Sequence, residues 1–315
     1  MDSAPSFPNL KKSVNSSLAR AINALTFPLT LTERLLAEVT NLLKIISGCL
    51  VFVSRSDDIF IVTYPRSGTT WLQMILYQLT TDGTMDFTHI SERIPFFERS
   101  LLLGRDLNQL SSPRIFKTHL RTIFRYLTRR QKYIYVVRDG RDVAVSCFHF
   151  YGTTLGFKGS FDKFFDLFLQ GKMQYGSWFK HVGTWQKRAC ADNVLLLTYE
   201  RLIEDLEGAL NQIAAFCGYE IEKERYSAIL ERCNFAFMKQ HESKFEHITE
   251  VLWERGLMQG EFFRQGRVGS WKIEFTKEQE SRFDDIAAQT LLNKHGVNFA
   301  TDPQRARAEA GPKVD

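Results

Sequence analysis

Ile59-Phe60-Ile61-Val62-Thr63, Tyr64-Pro65-Arg66-Ser67-Gly68-Thr69-Thr70 and Trp71-Leu72-Gln73-Met74-Ile75-Leu76-Tyr77-Gln78-Leu79 follow one another without a break. The first run is continuous, apolar and β-branched, as in a strand buried on both faces. The last repeats apolar residues at Leu72, Ile75, Leu76 and Leu79, as a helix does. The stretch therefore predicts strand, tight loop, helix. Pro65 fixes one backbone angle, Gly68 lets the main chain come close to a ligand, and Ser67, Thr69 and Thr70 set hydroxyls beside the free N–H groups of the first helical turn. Arg66 adds a positive charge, so the corner suits a phosphate or sulfate and, by extension, a nucleotide. Ser and Thr capping a core helix would need no ligand, and the triphosphate-loop spacing Gly-x4-Gly-Lys-Ser/Thr is absent.

Working outward, the 315 residues are 44% hydrophobic and 24% charged, which is the composition of a globular chain with a large core. The net charge of +5 favours anionic ligands without the dense Lys/Arg tract that would argue for nucleic acid. Cys49, Cys147, Cys190, Cys217 and Cys233 are scattered singly, with no Cys-x-x-Cys pair, so we expect reduced, packed thiols of a cytoplasmic protein and no metal site.

Residues 1–29 lack a secretory pattern and are expected to form a loosely ordered arm. In the extension 30–56, Thr30-x-x-Glu33 is a capping-box pattern ahead of Leu35, Leu36, Val39, Leu42, Leu43 and Ile46. This reads as an amphipathic helix of about four or five turns, ended by Gly48 and packed on the domain. Glu38 and Lys44 leave too few uncharged residues for a membrane span, and contact with a membrane surface through 30–53 is the lesser reading. Arg114 to His119 and Lys132 to Val137 read as further strands, and Val143 to Tyr151 as a helix. Asn193 to Tyr199 is the next strand, followed by a helix over Leu202 to Phe216 that Gly218 stops and another from Glu222 to Cys233. Ile94 to Phe97 and Tyr175 to Trp185 are expected to pack. The tail 301–315 is expected to fray.

Thr63 to Trp71 resemble the 5′-phosphosulfate loop of the sulfotransferases, Thr-Tyr-Pro-Lys-Ser-Gly-Thr-Thr-Trp, at every position except Arg66. Lys117-Thr118-His119 resembles the segment that carries the general base in cytosolic-type members, with Arg121 where proline is usual. Arg138 and Ser146, eight residues apart, match the pair that holds the cofactor's 3′-phosphate, and guanidinium and hydroxyl suit that task. Tyr199 matches the tyrosine that reaches adenine, and Trp71 and Phe235 the rings that sandwich it, although Cys233 and Asn234 replace two hydroxyl residues. Arg264-Gln265-Gly266 resembles the closing loop Arg-Lys-Gly, with its lysine missing, and Arg267 is the candidate to supply that charge. The dimer motif Lys-x-x-x-Thr-Val-x-x-x-Glu is half present, at Lys272 and Thr276, so this dimer is not predicted.

The resemblance implies a single α/β domain over 57–300, with a central parallel sheet flanked by helices and a P-loop-like phosphosulfate-binding loop. Strand–helix alternation supports that class independently. It implies 3′-phosphoadenosine-5′-phosphosulfate (PAPS) as co-substrate and transfer of its sulfuryl group to a hydroxyl or amine of a small, partly apolar or lipid acceptor. His119 would be the general base, with Arg66 and Lys117 stabilising charge on the bridging oxygen. No metal is expected, because a sulfuryl group carries less negative charge than a terminal phosphoryl group. The alternatives are a divergent nucleotide-dependent kinase and a non-catalytic protein that binds phosphoadenosine or a membrane surface.

Overall fold

A computed structural model describes residues 36, 39–122, 130–245 and 266–292. The expectations for 1–29, the capping box at Thr30 and Glu33, Arg264, Gln265 and the tail 301–315 lie outside these residues.

Four strands form one parallel sheet: β1 (Ile59–Thr63), β2 (Ile115–Thr118), β3 (Lys132–Val137) and β4 (Val194–Thr198), in the order β2-β1-β3-β4. The chain leaves β1 on one side to make β2 and then crosses back over to make β3. The carboxyl end of β1 is therefore a topological switch point, where neighbouring connections diverge and leave a crevice.

Because side chains alternate along a strand, β1 divides into two sets. Phe60 and Val62 join Phe116, Tyr133, Tyr135, Phe97 and the tryptophans Trp178 and Trp185 in one core; Ile59 and Ile61 join Ile115, Ile134, Val136, Leu72, Ile75 and Leu210 in the other. The run without polar residues is thus explained by helices on both faces.

Those helices are α1 (39–51), α2 (Thr69–Thr80), α3 (Phe97–Leu102), α4 (Gly140–Thr154), α5 (Phe161–Leu169), α6 (Trp178–Gln186), α7 (Tyr199–Glu204), α8 (Leu206–Cys217), α9 (Lys223–Cys233), α10 (Phe235–Gln240), α11 (Trp271–Glu274) and α12 (Lys277–Ala287).

Three expectations change. The helix read over Leu202 to Phe216 is two helices, because the Asp205 carboxylate accepts the Gly208 N–H at 2.8 Å and starts α8 afresh; Gly218, at φ 80°, does end it. Gly48 does not end α1, which continues to residue 51. A Cβ at Gly48 would lie 2.9 Å from the Leu101 side chain, so this glycine serves close packing of α1 on α3. That seat also accounts for the third change: Cys49 and Phe52 are buried there, while Leu36, Val39, Leu42 and Leu43 stand more than half exposed instead of packed on the domain.

At the opposite end of the sheet, Arg114 and Asp58 form a fully buried two-pronged ion pair at 2.7 Å, and Arg114 also donates to the Val53 carbonyl. Among the described residues no helix is long and apolar enough to cross a membrane.

Candidate active site

The loop after β1 is set by two left-handed residues, Arg66 at φ 68° and Gly68 at φ 96°. Gly68 is required twice over: its φ suits glycine, and a Cβ there would lie 2.9 Å from the Tyr199 ring. It is the N-cap of α2 and leaves the first turn without a side-chain cap. The Ser67 hydroxyl is buried and has no hydrogen-bond partner among the described residues, while the Thr69 hydroxyl bonds that of Thr63 at 2.5 Å. Open N–H groups and an orphaned buried hydroxyl at a helix start are what an oxyanion ligand would complete.

Arg138, at the end of β3, donates to the Arg66 carbonyl at 3.2 Å and to the Arg267 carbonyl at 3.1 Å; its Nε is buried with no partner among the described residues, and its guanidinium lies 4.3 Å from the Tyr199 ring centroid. Arg66 Nε donates to Ser146 Oγ on α4 at 3.1 Å. Thus Arg66, Ser67, Gly68, Arg138, Ser146 and Tyr199 come together at one strand end. The Trp71 indole N–H donates to the Cys233 carbonyl at 2.6 Å, and Phe235 lies against Gly266, where a Cβ would come within 2.5 Å of its ring. The two rings expected to sandwich adenine therefore border the α9–α10 junction. Thr70 is buried in the first turn of α2.

How residues 266–271 are held is not legible in the sequence. Asp142, fully buried in α4, accepts the Gly269 N–H at 2.7 Å, the Ser270 hydroxyl at 2.9 Å and the Trp271 N–H at 3.1 Å. Arg267 itself is exposed.

His119 follows β2 beside the same loop. Its Nδ1 donates to the Thr63 carbonyl at 2.9 Å, so Nε2 is the unprotonated nitrogen. Burial, and then the Lys117 charge, hold its pKa down to about 4, against the raising effect of the Thr63 bond. Phe96 and Tyr175 pack edge-on to the ring at 5.3 and 5.0 Å, and Lys117 is buried with Nζ 5.0 Å from the Phe96 ring. Behind it, His181 Nε2 donates to the His119 carbonyl at 3.2 Å, so its Nδ1 accepts from the Tyr135 hydroxyl at 3.0 Å. The Tyr175–Trp185 segment thus packs, as expected for Trp178 and Trp185, but Tyr175 and His181 also frame His119.

Among the described residues no cluster of three or more His, Cys, Asp or Glu could hold a metal ion. All five cysteines are free; four are buried, and Cys190 is exposed rather than packed.

A sulfotransferase-domain model matches residues 56–294. Human sulfotransferase 1E1 is 35% identical over 264 residues, covering 80% of this chain and 89% of that protein. The amine sulfotransferase of Oryctolagus cuniculus is 32% identical over 261 residues, covering 79% and 85%. The structure of mouse sulfotransferase SULT7A1 complexed with PAP, the desulfated nucleotide, has a TM-score of 0.64 and 28% identity over 84% of this chain and 93% of that one. Retinol dehydratase in complex with androsterone and PAP shares the fold at a TM-score of 0.69 and 24% identity, covering 82% and 87%. These relatives do not favour the kinase or non-catalytic alternatives. With a domain match over most of its length and relatives above 30% identity along most of both chains, this chain belongs to the sulfotransferase family and is a PAPS-dependent sulfotransferase.

Proposed function

We propose that His119 Nε2 takes the proton of a hydroxyl or amine acceptor while that atom attacks the sulfur of PAPS. The new bond to sulfur forms as the bond to the bridging oxygen breaks, and the electron pair leaves with PAP. The observation that carries this reading is the fixed tautomer: the Thr63 carbonyl takes the Nδ1 proton of His119, leaving Nε2 with its lone pair.

In this reading the N–H groups of Gly68, Thr69 and Thr70 and the Ser67 hydroxyl hold the 5′-phosphate, and Arg66 and Lys117 stabilise charge on the leaving oxygen. Arg138 and Ser146 take the 3′-phosphate, with Arg264, Gln265 and Gly266 as further cofactor-binding residues; Trp71, Tyr199 and Phe235 take the adenine. Phe96 and Tyr175 beside His119 favour a small acceptor with an apolar or aromatic body.

An acceptor screen with labelled PAPS identifies a substrate. With that substrate, His119→Asn is expected to lower transfer by roughly 10²–10⁴-fold and to leave PAP affinity nearly unchanged. Near-normal turnover would remove His119 from the base role.

A further inference from the structure

Glu98 sits in the first turn of α3, directly after Phe96 and Phe97, and is buried to 3% exposure. Its Oε1 accepts the backbone N–H of His119 at 2.8 Å; Oε2 is buried without a hydrogen-bond partner among the described residues. No described cation closes an ion pair on it.

The groups that face this carboxyl come from every element around it. They are Lys117, Thr118 and His119 from the β2 end, Cys49 from α1, and Tyr175 from the segment before α6. Burial pushes the Glu98 carboxyl up to about 7, opposed by the His119 N–H, the Thr118 hydroxyl and the Lys117 charge. A carboxyl held by the His119 N–H and the Thr118 hydroxyl, with one oxygen left unpartnered among the described residues, is an unfavourable thing to bury for stability alone.

Resting on His119 as the base, we propose that Glu98 is a positioning residue for it: the carboxylate holds the His119 backbone and supplies negative charge that offsets the imidazolium formed when the acceptor's proton arrives. The proton goes from acceptor oxygen or nitrogen to Nε2; Glu98 neither gains nor loses one in the step. In a poorly solvated site, a nearby unit charge matters more to the cation than it would in water. The charge is present above the carboxyl's raised pKa and absent below it, so kcat should rise with pH near 7, well above the titration of free His119 near 4.

Glu98→Gln tests this, because the amide oxygen can still accept the His119 N–H while the charge is gone. With an acceptor that the natural enzyme turns over, kcat is expected to fall on the order of ten-fold, with PAP affinity and thermal midpoint retained and the rise near pH 7 abolished. Unchanged kcat, or a lowered kcat that keeps the same rise, overturns the proposal. Loss of PAP binding together with kcat also overturns it, placing Glu98 in the fold instead. Failure of the underlying reading looks different: His119→Asn would then turn over normally.

Discussion

Arg138 makes the most specific claim of any single residue. It reaches the backbone on both sides of the candidate site, at Arg66 and Arg267, yet its Nε is buried without a partner among the described residues. An unsatisfied buried donor of this kind is costly until a ligand meets it. Arg138→Ala should therefore weaken PAP binding by about 1.5–3 kcal/mol, the range for hydrogen bonds to charged groups, and adenosine 5′-phosphate binding far less. Calorimetry on both nucleotides separates the two; equal losses would mean that Arg138 acts on the fold or on the shared 5′-phosphate. This residue was legible in the sequence because its motif is local: a strand end, a turn and a serine eight residues on. Glu98, Tyr175 and His181 were not legible, since each meets His119 across a long gap in the chain. Near Glu98 the sequence offered only a short aromatic cluster, whose two phenylalanines divide between jobs. Phe97 is core, and Phe96 faces His119.

Among the elements, α4 has the most to hold. Its N-terminal turn carries Asp142, which takes three donors from residues 269–271, and one turn later Ser146 meets Arg66. Asp142→Asn keeps an oxygen for Ser270 and Trp271 but sets an amide nitrogen against one of the N–H groups; Asp142→Ala abandons all three. PAP affinity should fall in the order natural, Asn, Ala, with the alanine variant also losing about 1–3 kcal/mol of stability from unsatisfied buried donors. Titration with PAP and urea unfolding of the nucleotide-free protein measure the two effects. An alanine variant with normal affinity would disconnect the loop from nucleotide binding. The strand–loop–helix unit of β1 and α2 was read correctly because its signals lie within about twenty residues. The misreading of α1 has the opposite origin: its apolar stripe predicts burial along its length, whereas only its last turn is seated, through Gly48 against Leu101 with Cys49 and Phe52 buried beside it.

On the scale of the whole molecule, acid sensitivity follows from the buried imidazoles. His181 is fully buried; burial, opposed by the His119 carbonyl, pulls its pKa down to about 3. A histidine lowered in this way is neutral in the fold but takes up a proton when unfolded below its ordinary value of 6.5. Its contribution to stability is thus present above pH 6.5 and is lost as pH falls toward 3. Relative to a His181→Gln variant, the natural protein should lose about 1.4 kcal/mol per pH unit across that window. Urea unfolding of both proteins at several pH values gives the difference; parallel curves would show that His181 does not titrate on unfolding.

The strand order also bears on how the chain is born. Ile59 pairs with Ile115 on one side and with Lys132 on the other, and Tyr133 in turn pairs with Val194. On the ribosome, the phosphosulfate loop is synthesised long before the strands that flank β1, and longer still before Asp142 can engage Gly269. Vectorial synthesis therefore cannot assemble this site piecemeal from its amino-terminal end. A nascent chain halted at residue 245 should fail to retain PAP on release, whereas one extended through residue 292 has every described contact available. PAP affinity of natural strength in the shorter chain would show that the nucleotide site matures before the closing segment arrives.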